Sequence, residues 1–600
     1  MKKSKKVKIL LLSILSAMGI PYILKGTNTL YPLSNSILAV ILLIGIYVLM
    51  KYVYEKTDIR ARRTGLLFGS LFSIWLVIGA NIINTDSTQI MMTKTWLKVV
   101  AVLPLMAGVI TLVITYLSKN QIELLNVENK KCSLQVFWVV WAIIFAVWML
   151  TFLATYPGIY GYDSIFQVDS YAKHSVNTHH PIIHTYLLGF FVITIGQKML
   201  GSVDTGMALY SIFQMLCMSA IFSCLYTTYI RKRVRRVWAI VSILLYAVLP
   251  VNALMAISST KDVLFAGLFS LMIMLLLMTV EKSERLENWK FCLILIVVSE
   301  ICIWFRNQEI YVFGLGMLVS ILALKKYWKR LLMILLTVVV GYGIYSGPVT
   351  NLVAHKNGDS INEMMSIPCV QLSRSMAYNS DELTDEEKQL IEKYIPNFGV
   401  YESIEAISDG MKNTFQSDLF KDNPKEFIGL WLKVGKEHPI TYIDAFARIT
   451  IGWWYPDMNY RDSKAYHPYW EYDSTGQDGR FQDYILVQRK PVAGLKKLTS
   501  FLEKLSYDNS YQKAPIISML FSSGCMVWGV FIYCATVIYQ KRYKHLLVAV
   551  FVLALWLTLL VGPVVLYRYA YPIAVIEPLL FAALCSSVKK DSIQEEISNG

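Results

Sequence analysis

The sequence predicts an all-α polytopic membrane protein with about fourteen transmembrane helices and a mainly helical external domain. Two bulk properties and one pattern carry that prediction. Hydrophobic residues make up 55% of the 600 positions and charged ones only 16%, a balance that a soluble multidomain chain does not carry. Apolar runs of roughly 17 to 25 residues recur along the chain, the length that crosses about 30 Å of hydrocarbon as a helix. The formal charge of +15 is concentrated in Lys and Arg clusters between those runs. It therefore reports which loops face the cytoplasm and gives no reason to expect nucleic acid as a partner.

Five runs come first: Val7 to Leu24, Ser36 to Val53, Thr64 to Ile83, Lys98 to Leu117 and Leu134 to Thr155. Basic patches at Lys2 to Lys8, Lys51 to Arg63 and Lys119 to Lys131 alternate with poorly charged loops at 25–35 and 85–97. With the basic loops inside, the N-terminus is cytoplasmic and the loop beginning at Tyr156 is external. The first run lacks a small-x-small cleavage site and reads as an uncleaved signal anchor. Residues 1–133 thus form a four-helix extension, followed by a membrane core over 134–350 with a polar external loop at 156–204.

Pro181 to Leu200 breaks the alternation. If it crossed, Thr205 to Ile230 would deliver Arg231, Lys232, Arg233, Arg235 and Arg236 to the outside, against the positive-inside rule. A re-entrant or interfacial segment is expected instead. Val237 to Ile257 then leads out to SSTKD (Ser258 to Asp262), and Val263 to Val280 returns. The short runs Phe291 to Trp304 and Ile310 to Leu324 meet at FRNQE, a charged external tip tolerated at membrane depth only where it lines a polar cavity.

Leu331 to Pro348 leads out to the external domain, 351–514. Acidic Asp381 to Glu387 opens one helix there, and Pro424 opens another with Phe427, Leu430, Trp431 and Val434 at helical spacing. A third ends in Trp453, Trp454 and Tyr455, read as an interfacial belt or as a face for stacking on sugar. Tyr460 to Arg480 reads as loop. Pro515 to Tyr539, Leu546 to Leu566 and Tyr571 to Val588 complete the core within 515–588, and 589–600 is a cytoplasmic tail. Of nine cysteines only Cys369 is external, so neither a disulfide framework nor a zinc ribbon is expected. No internal repeat is visible, which disfavours transporter folds built from inverted repeats.

The unusual charges fall on one side. Asp163, Asp169, His179, His180, His184, Lys261, Asp262, Arg306, Glu309 and Arg568 all map to outer helix ends or their loops. Ionisable groups there are costly unless they pair, bind a ligand or face a cavity. Asp163 stands in YPGIYGYDS, where it suits a general base or, alternatively, a helix N-cap. Asp169 is the second candidate, although six helical positions separate the two. Arg306 and Arg568 suit the bidentate grip of a phosphate, and Lys261 offers a compact charge; the alternatives are snorkelling anchors or, for Lys261, a pair with Asp262. His180 and His184, four apart, could hold a divalent metal ion with Asp163, the one cofactor the residues suggest, or could be interfacial hydrogen-bonding histidines. Glu577, beside Pro578, is left outside this group.

YGYDS, HHPIIH, SSTKD, FRN and the final YRYAYP together resemble the GT-C superfamily of integral-membrane glycosyltransferases, in an uncharacterised bacterial branch. The likeness spans 134–350 and 546–590. It departs from the family layout in the four preceding helices and in an external domain set between core helices. The resemblance implies a GT-C-like core in the bacterial plasma membrane and interfacial helices in the first external loop of that core, while the alternation of basic loops puts both termini in the cytoplasm. It further implies a polyprenyl-phosphate sugar donor, inverting transfer to an envelope acceptor, and Asp163 as the base, with Lys261, Arg306, Arg568 and His180 at the donor phosphate. A transporter or lipid flippase without chemistry is the rival reading, and a polymerase or ligase of lipid-linked polysaccharide is the nearer one.

Overall fold

A computed structural model describes residues 2–23, 37–119, 122–123, 130–355, 360–402, 407–456, 483–506 and 517–587. Ten of the described helices are long and apolar enough to cross a membrane. An eleventh arises when Arg236–Val248 and Pro250–Ala256, bent by 49°, count as one span. The chain is therefore all-α and multi-pass. The bend has a local cause. Pro250 supplies no N–H to the turn before it, and the Asn252 amide donates to the Leu245 carbonyl (2.8 Å). Of the expected crossings, Trp289–Phe305 and Glu309–Ala323 are helices of 17 and 15 residues, short for a full span.

Small residues set the packing of the first helices. A Cβ at Gly69 on Ile59–Thr85 would meet the Ala107 backbone of Thr93–Lys119 at 2.6 Å, so the two backbones touch in the manner common between membrane helices.

The helix ends sort onto two faces. One gathers the buried ion pair Arg233–Glu281 (2.5 Å) and the Arg542 guanidinium, which donates to the Ala583 carbonyl (2.7 Å) and so caps the last helix. Tyr539 also donates to Asp58 there (2.7 Å), and the two-residue strands Ile122–Glu123 and Ser586–Ser587 pair in parallel. Both described chain ends lie on this basic face, the first held by Lys8 over the Tyr54 ring. The other face, the rim, collects the end of Lys130–Ala154, the start of Lys261–Glu281, the end of Trp289–Phe305 and the start of Tyr567–Cys585.

Ile182–Met199 is one continuous 18-residue helix, apolar enough to cross. Its contacts place it differently. At its start the His184 ring packs on Phe305, and Tyr186 donates to the Val353 carbonyl (2.9 Å). Its end turns through Gly201 to Asp204, which accepts from the Gln488 N–H (2.8 Å), and the nearby Lys490 N–H donates to the Tyr156 carbonyl (2.7 Å). Both of its ends are thus tied to segments of the rim.

On the rim sits a helical unit with its own core of Leu372, Ile391, Tyr394, Phe427, Leu430 and Val434. Its expected helices are present as Asp385–Tyr394, opened by a Thr384/Glu387 capping box, Pro424–Glu437 and Pro439–Thr450. Cys369 is buried in it. The run 453–455 differs from both readings of it. Trp453, Trp454 and Tyr455 are buried in the main core, and the first two accept indole N–H bonds on their carbonyls from Trp556 (3.0 Å) and Trp528 (2.8 Å). They fasten the unit to the bundle. The segment 460–480 falls outside the described residues.

A second attachment is ionic. Arg374 bonds the Asp86 carboxylate (3.0 Å) and its backbone carbonyl (2.6 Å) and faces Asp444 at 3.8 Å. Asp444 accepts from Thr88 through both N–H and hydroxyl, and Arg448 also reaches Asp86. Arg374 is only 3% exposed, so Arg374→Ala takes from buried Asp444 the cation it faces, while Asp86 keeps Arg448. A loss of about 3–5 kcal/mol is expected, read as a lower midpoint in thermal unfolding of the detergent-solubilised protein.

Candidate functional site

YGYDS and SSTKD, nearly a hundred residues apart, are strapped together at the rim. The Ile159 N–H donates to the Ile257 carbonyl and the Ser259 N–H to the Ile159 carbonyl, both at 3.0 Å. The Ser164 hydroxyl donates to the Ser259 carbonyl (2.7 Å), and Gln214 donates to the Ser258 carbonyl (2.7 Å). Gly158 makes the approach possible. Its φ of +120° is strained for any side chain, and a Cβ there would meet the Ser211 hydroxyl at 2.2 Å.

This strap opens the helix Tyr162–Ala172 with Asp163 in its first turn. Asp163 is not the N-cap; that place is taken by Gly161, without a side-chain bond. Its Oδ2 instead receives two cations, Lys261 Nζ at 3.2 Å and Arg568 Nη1 at 3.2 Å. Behind them lies Asp262, 2% exposed, with Arg568 Nε at 3.6 Å from one oxygen and Arg306 Nη1 at 3.8 Å from the other. The Thr260 hydroxyl donates to Asp262 Oδ2 (3.1 Å). Lys261 and Asp262 do not pair with each other, because successive helical side chains point about 100° apart. Tyr569 closes one wall, accepting from Arg568 Nη2 (3.0 Å) while its ring lies 5.6 Å from the Arg306 guanidinium carbon.

Among the described residues, three cations thus meet two carboxylates here. Asp163 and Lys261 are the outermost members at 16% and 18% exposure, and Asp262 is the floor. Burial opposes ionisation of Asp163, but the charges of Arg568, Lys261 and His180 overcome it and hold the carboxyl well below the ordinary carboxylate range. In this state Asp163 is a weaker base than an isolated buried carboxylate would be.

His180 belongs to the same neighbourhood, and its Nδ1 is buried without a hydrogen-bond partner. Burial, with Asp163 opposing and Lys261 assisting, pushes its imidazole down to about 3, so it is neutral near pH 7. Glu309, fully buried, lies beside Arg306, and neither of its oxygens has a hydrogen-bond partner.

Two candidates stand apart. Asp169 faces away and pairs with Lys173 (2.8 Å); six positions on a helix turn a side chain about 240°. His184 is buried with both ring nitrogens taken, Nδ1 by Gln167 Oε1 (3.1 Å) and Nε2 by the Tyr210 hydroxyl (2.8 Å). The His180/His184 pair is therefore not assembled for a metal. No group of three His, Cys, Asp or Glu placed to hold a metal ion occurs among the described residues. Glu577 lies apart, against Gly529 between two helices.

The helical unit reaches this site. Ile407 pairs antiparallel with Val564, Ser408 donates to the Pro563 carbonyl through its N–H (3.0 Å) and its hydroxyl (3.1 Å), and Ile407, Val564 and Leu566 pack with Tyr569. Adjacency in sequence hid this contact, which joins segments more than 150 positions apart.

Residues 172–598 match the model of a family of unknown function, DUF6020. The chain belongs to that family. The match takes in His180, Lys261, Asp262, Arg306, the helical unit and Arg568, and begins after Asp163. No curated protein and no solved structure matches the chain.

His180 titrates with a definite sign. Its folded value of about 3 lies below the unfolded value near 6.5, so the unfolded state gains the proton first. Stability is full above about pH 6.5 and is lost as pH falls towards 3. Between pH 7.5 and 5 the wild type is expected to lose about 2 kcal/mol that His180→Gln does not lose, measured by thermal unfolding at both pH values.

Proposed function

We propose that the chain is a membrane glycosyltransferase of GT-C type that moves one sugar from a polyprenyl-phosphate donor to a cell-envelope acceptor. The observation that supports this best is Asp163, a carboxylate at the mouth of a cluster of cations, flanked by Lys261 and Arg568. A base next to preset positive charge is what displacement at an anomeric carbon needs.

In the proposed reaction the acceptor hydroxyl passes its proton to Asp163 as its oxygen bonds the anomeric carbon. The bond from that carbon to the phosphate oxygen breaks on the opposite side, and its electron pair leaves with the phosphate. Lys261, Arg306 and Arg568 receive that charge, Arg as a fork and Lys as a point. Neutral His180 donates a hydrogen bond to a phosphate oxygen. Attack and departure on opposite sides invert the configuration.

By the positive-inside rule the face with Arg231, Arg233 and Arg236 is cytoplasmic, and with it both termini. The rim is then the outer surface of a bacterial plasma membrane, and about fourteen helices cross, with Ile182–Met199 lying along the rim. The helical unit, clipped to Pro563 and Val564, stands where an acceptor would enter. Rim ion pairs favour this over transport, which would set its charged groups near the midplane between related halves.

Asp163→Asn is expected to lower sugar transfer from a polyprenyl-phosphate donor by about 10²- to 10⁴-fold with unchanged expression; near-normal transfer assigns the base elsewhere. For topology, Ser175→Cys on a cysteine-free background should react with a membrane-impermeant maleimide in intact cells. Labelling confined to lysed cells would reverse the orientation.

A further inference from the structure

The site is built so that its base is held off by the groups meant for the leaving phosphate. Lys261 Nζ and Arg568 Nη1 both lie 3.2 Å from one oxygen of Asp163, Oδ2. Arg568 turns its Nε edge to Asp262 at 3.6 Å, too far for a hydrogen bond. Arg306 Nη1 stands 3.8 Å from the same residue and is buried without a hydrogen-bond partner. Asp262, on the floor with Thr260 on its Oδ2, faces both arginines from beyond hydrogen-bond distance. Lys261 and Arg568 make their close carboxylate contacts to Asp163, at the mouth.

We infer that a phosphate group entering this site draws Lys261 and Arg568 away from Asp163 and thereby switches it on as a base, so that the donor must bind before the acceptor can be deprotonated. This rests on the phosphate-binding role given above to Lys261, Arg306 and Arg568 and adds an order of events to it.

The physical argument is electrostatic. A carboxylate flanked by two cations at 3.2 Å holds its charge cheaply and has little affinity for a proton. A phosphate oxygen competes for the same N–H groups, which a guanidinium grips in pairs. Each contact transferred removes stabilisation from the carboxylate, and the phosphate's own charge repels it; both changes raise its proton affinity. The other charged groups at hand do not replace the lost cations. Asp262 and the Tyr569 hydroxyl are anionic or neutral, His180 is neutral near pH 7, and Asp169, on the same helix, is committed to Lys173. An empty site consequently holds a quiet carboxylate, which protects the enzyme from unproductive acceptor chemistry.

The test uses the full-length protein in lipid nanodiscs and infrared difference spectroscopy, with the Asp163→Asn spectrum subtracted to isolate the Asp163 carboxylate band. The probes are inorganic phosphate and a polyprenyl monophosphate. On adding the lipid phosphate the Asp163 band is expected to shift, and its acid-titration midpoint to rise. A shift with inorganic phosphate as well means the phosphate group alone is the switch; a shift with the lipid only means its chain must hold the headgroup in place. Either supports the inference. Lys261→Gln should raise the midpoint with no ligand present, since one flanking cation is gone. If the lipid phosphate stabilises the protein against heat, Lys261→Gln abolishes that stabilisation, and the Asp163 band stays still, the switch is overturned while phosphate binding stands. If neither phosphate stabilises the protein, the phosphate site and the switch fall together.

Discussion

Lys261, Arg306 and Arg568 would repel one another at the end of an apolar bundle, and the bundle can close there only because two carboxylates stand between them. Asp262 does this from below and Asp163 from the mouth. Much of the rim follows from that requirement. The YGYDS strap brings Asp163 to the start of the Lys261 helix, and Gly158 with Ser211 allows the strap to lie flat. The turn at Arg306 and the start of the last helix bring the remaining cations. Buried ion pairs of this kind contribute little net stability.

The sequence made this cluster legible because charge in an apolar chain is costly wherever it occurs. Asp163, His180, Lys261, Arg306 and Arg568 stand at the tips of apolar runs, and the structure brings all five to one place. What was illegible depends on direction. Asp169 and His184 have the right types and spacing, but a helix turns one towards Lys173 and buries the other between Gln167 and Tyr210. The sequence offers Asp262 as one alternative partner for Lys261, and only the structure shows it bridging two arginines from other helices. Paired tryptophans at a membrane edge suggested a surface belt, yet Trp453 and Trp454 are internal.

The broad architecture was easier to read because it rests on length and sign. Apolar runs gave helices, and basic clusters gave a common face at which both described ends lie. Charge alternation argues for a rim placement of Ile182–Met199, whose length and composition also suit a crossing. The helices of the polar segment were visible in caps and periodicity, as at Thr384 and Glu387. Their docking was not, since it depends on Arg374 and Ile407 meeting residues hundreds of positions away.

The Arg374–Asp86 contact has an implication for how this chain could be divided. Asp86 sits between the third and fourth helices, in the part that the family match leaves out, whereas Arg374 lies inside it. The two parts are thus electrically interlocked, and the opening helices act as a mast to which the helical unit is moored. A relative lacking that mast would need a different residue at position 374, or another acid to meet it.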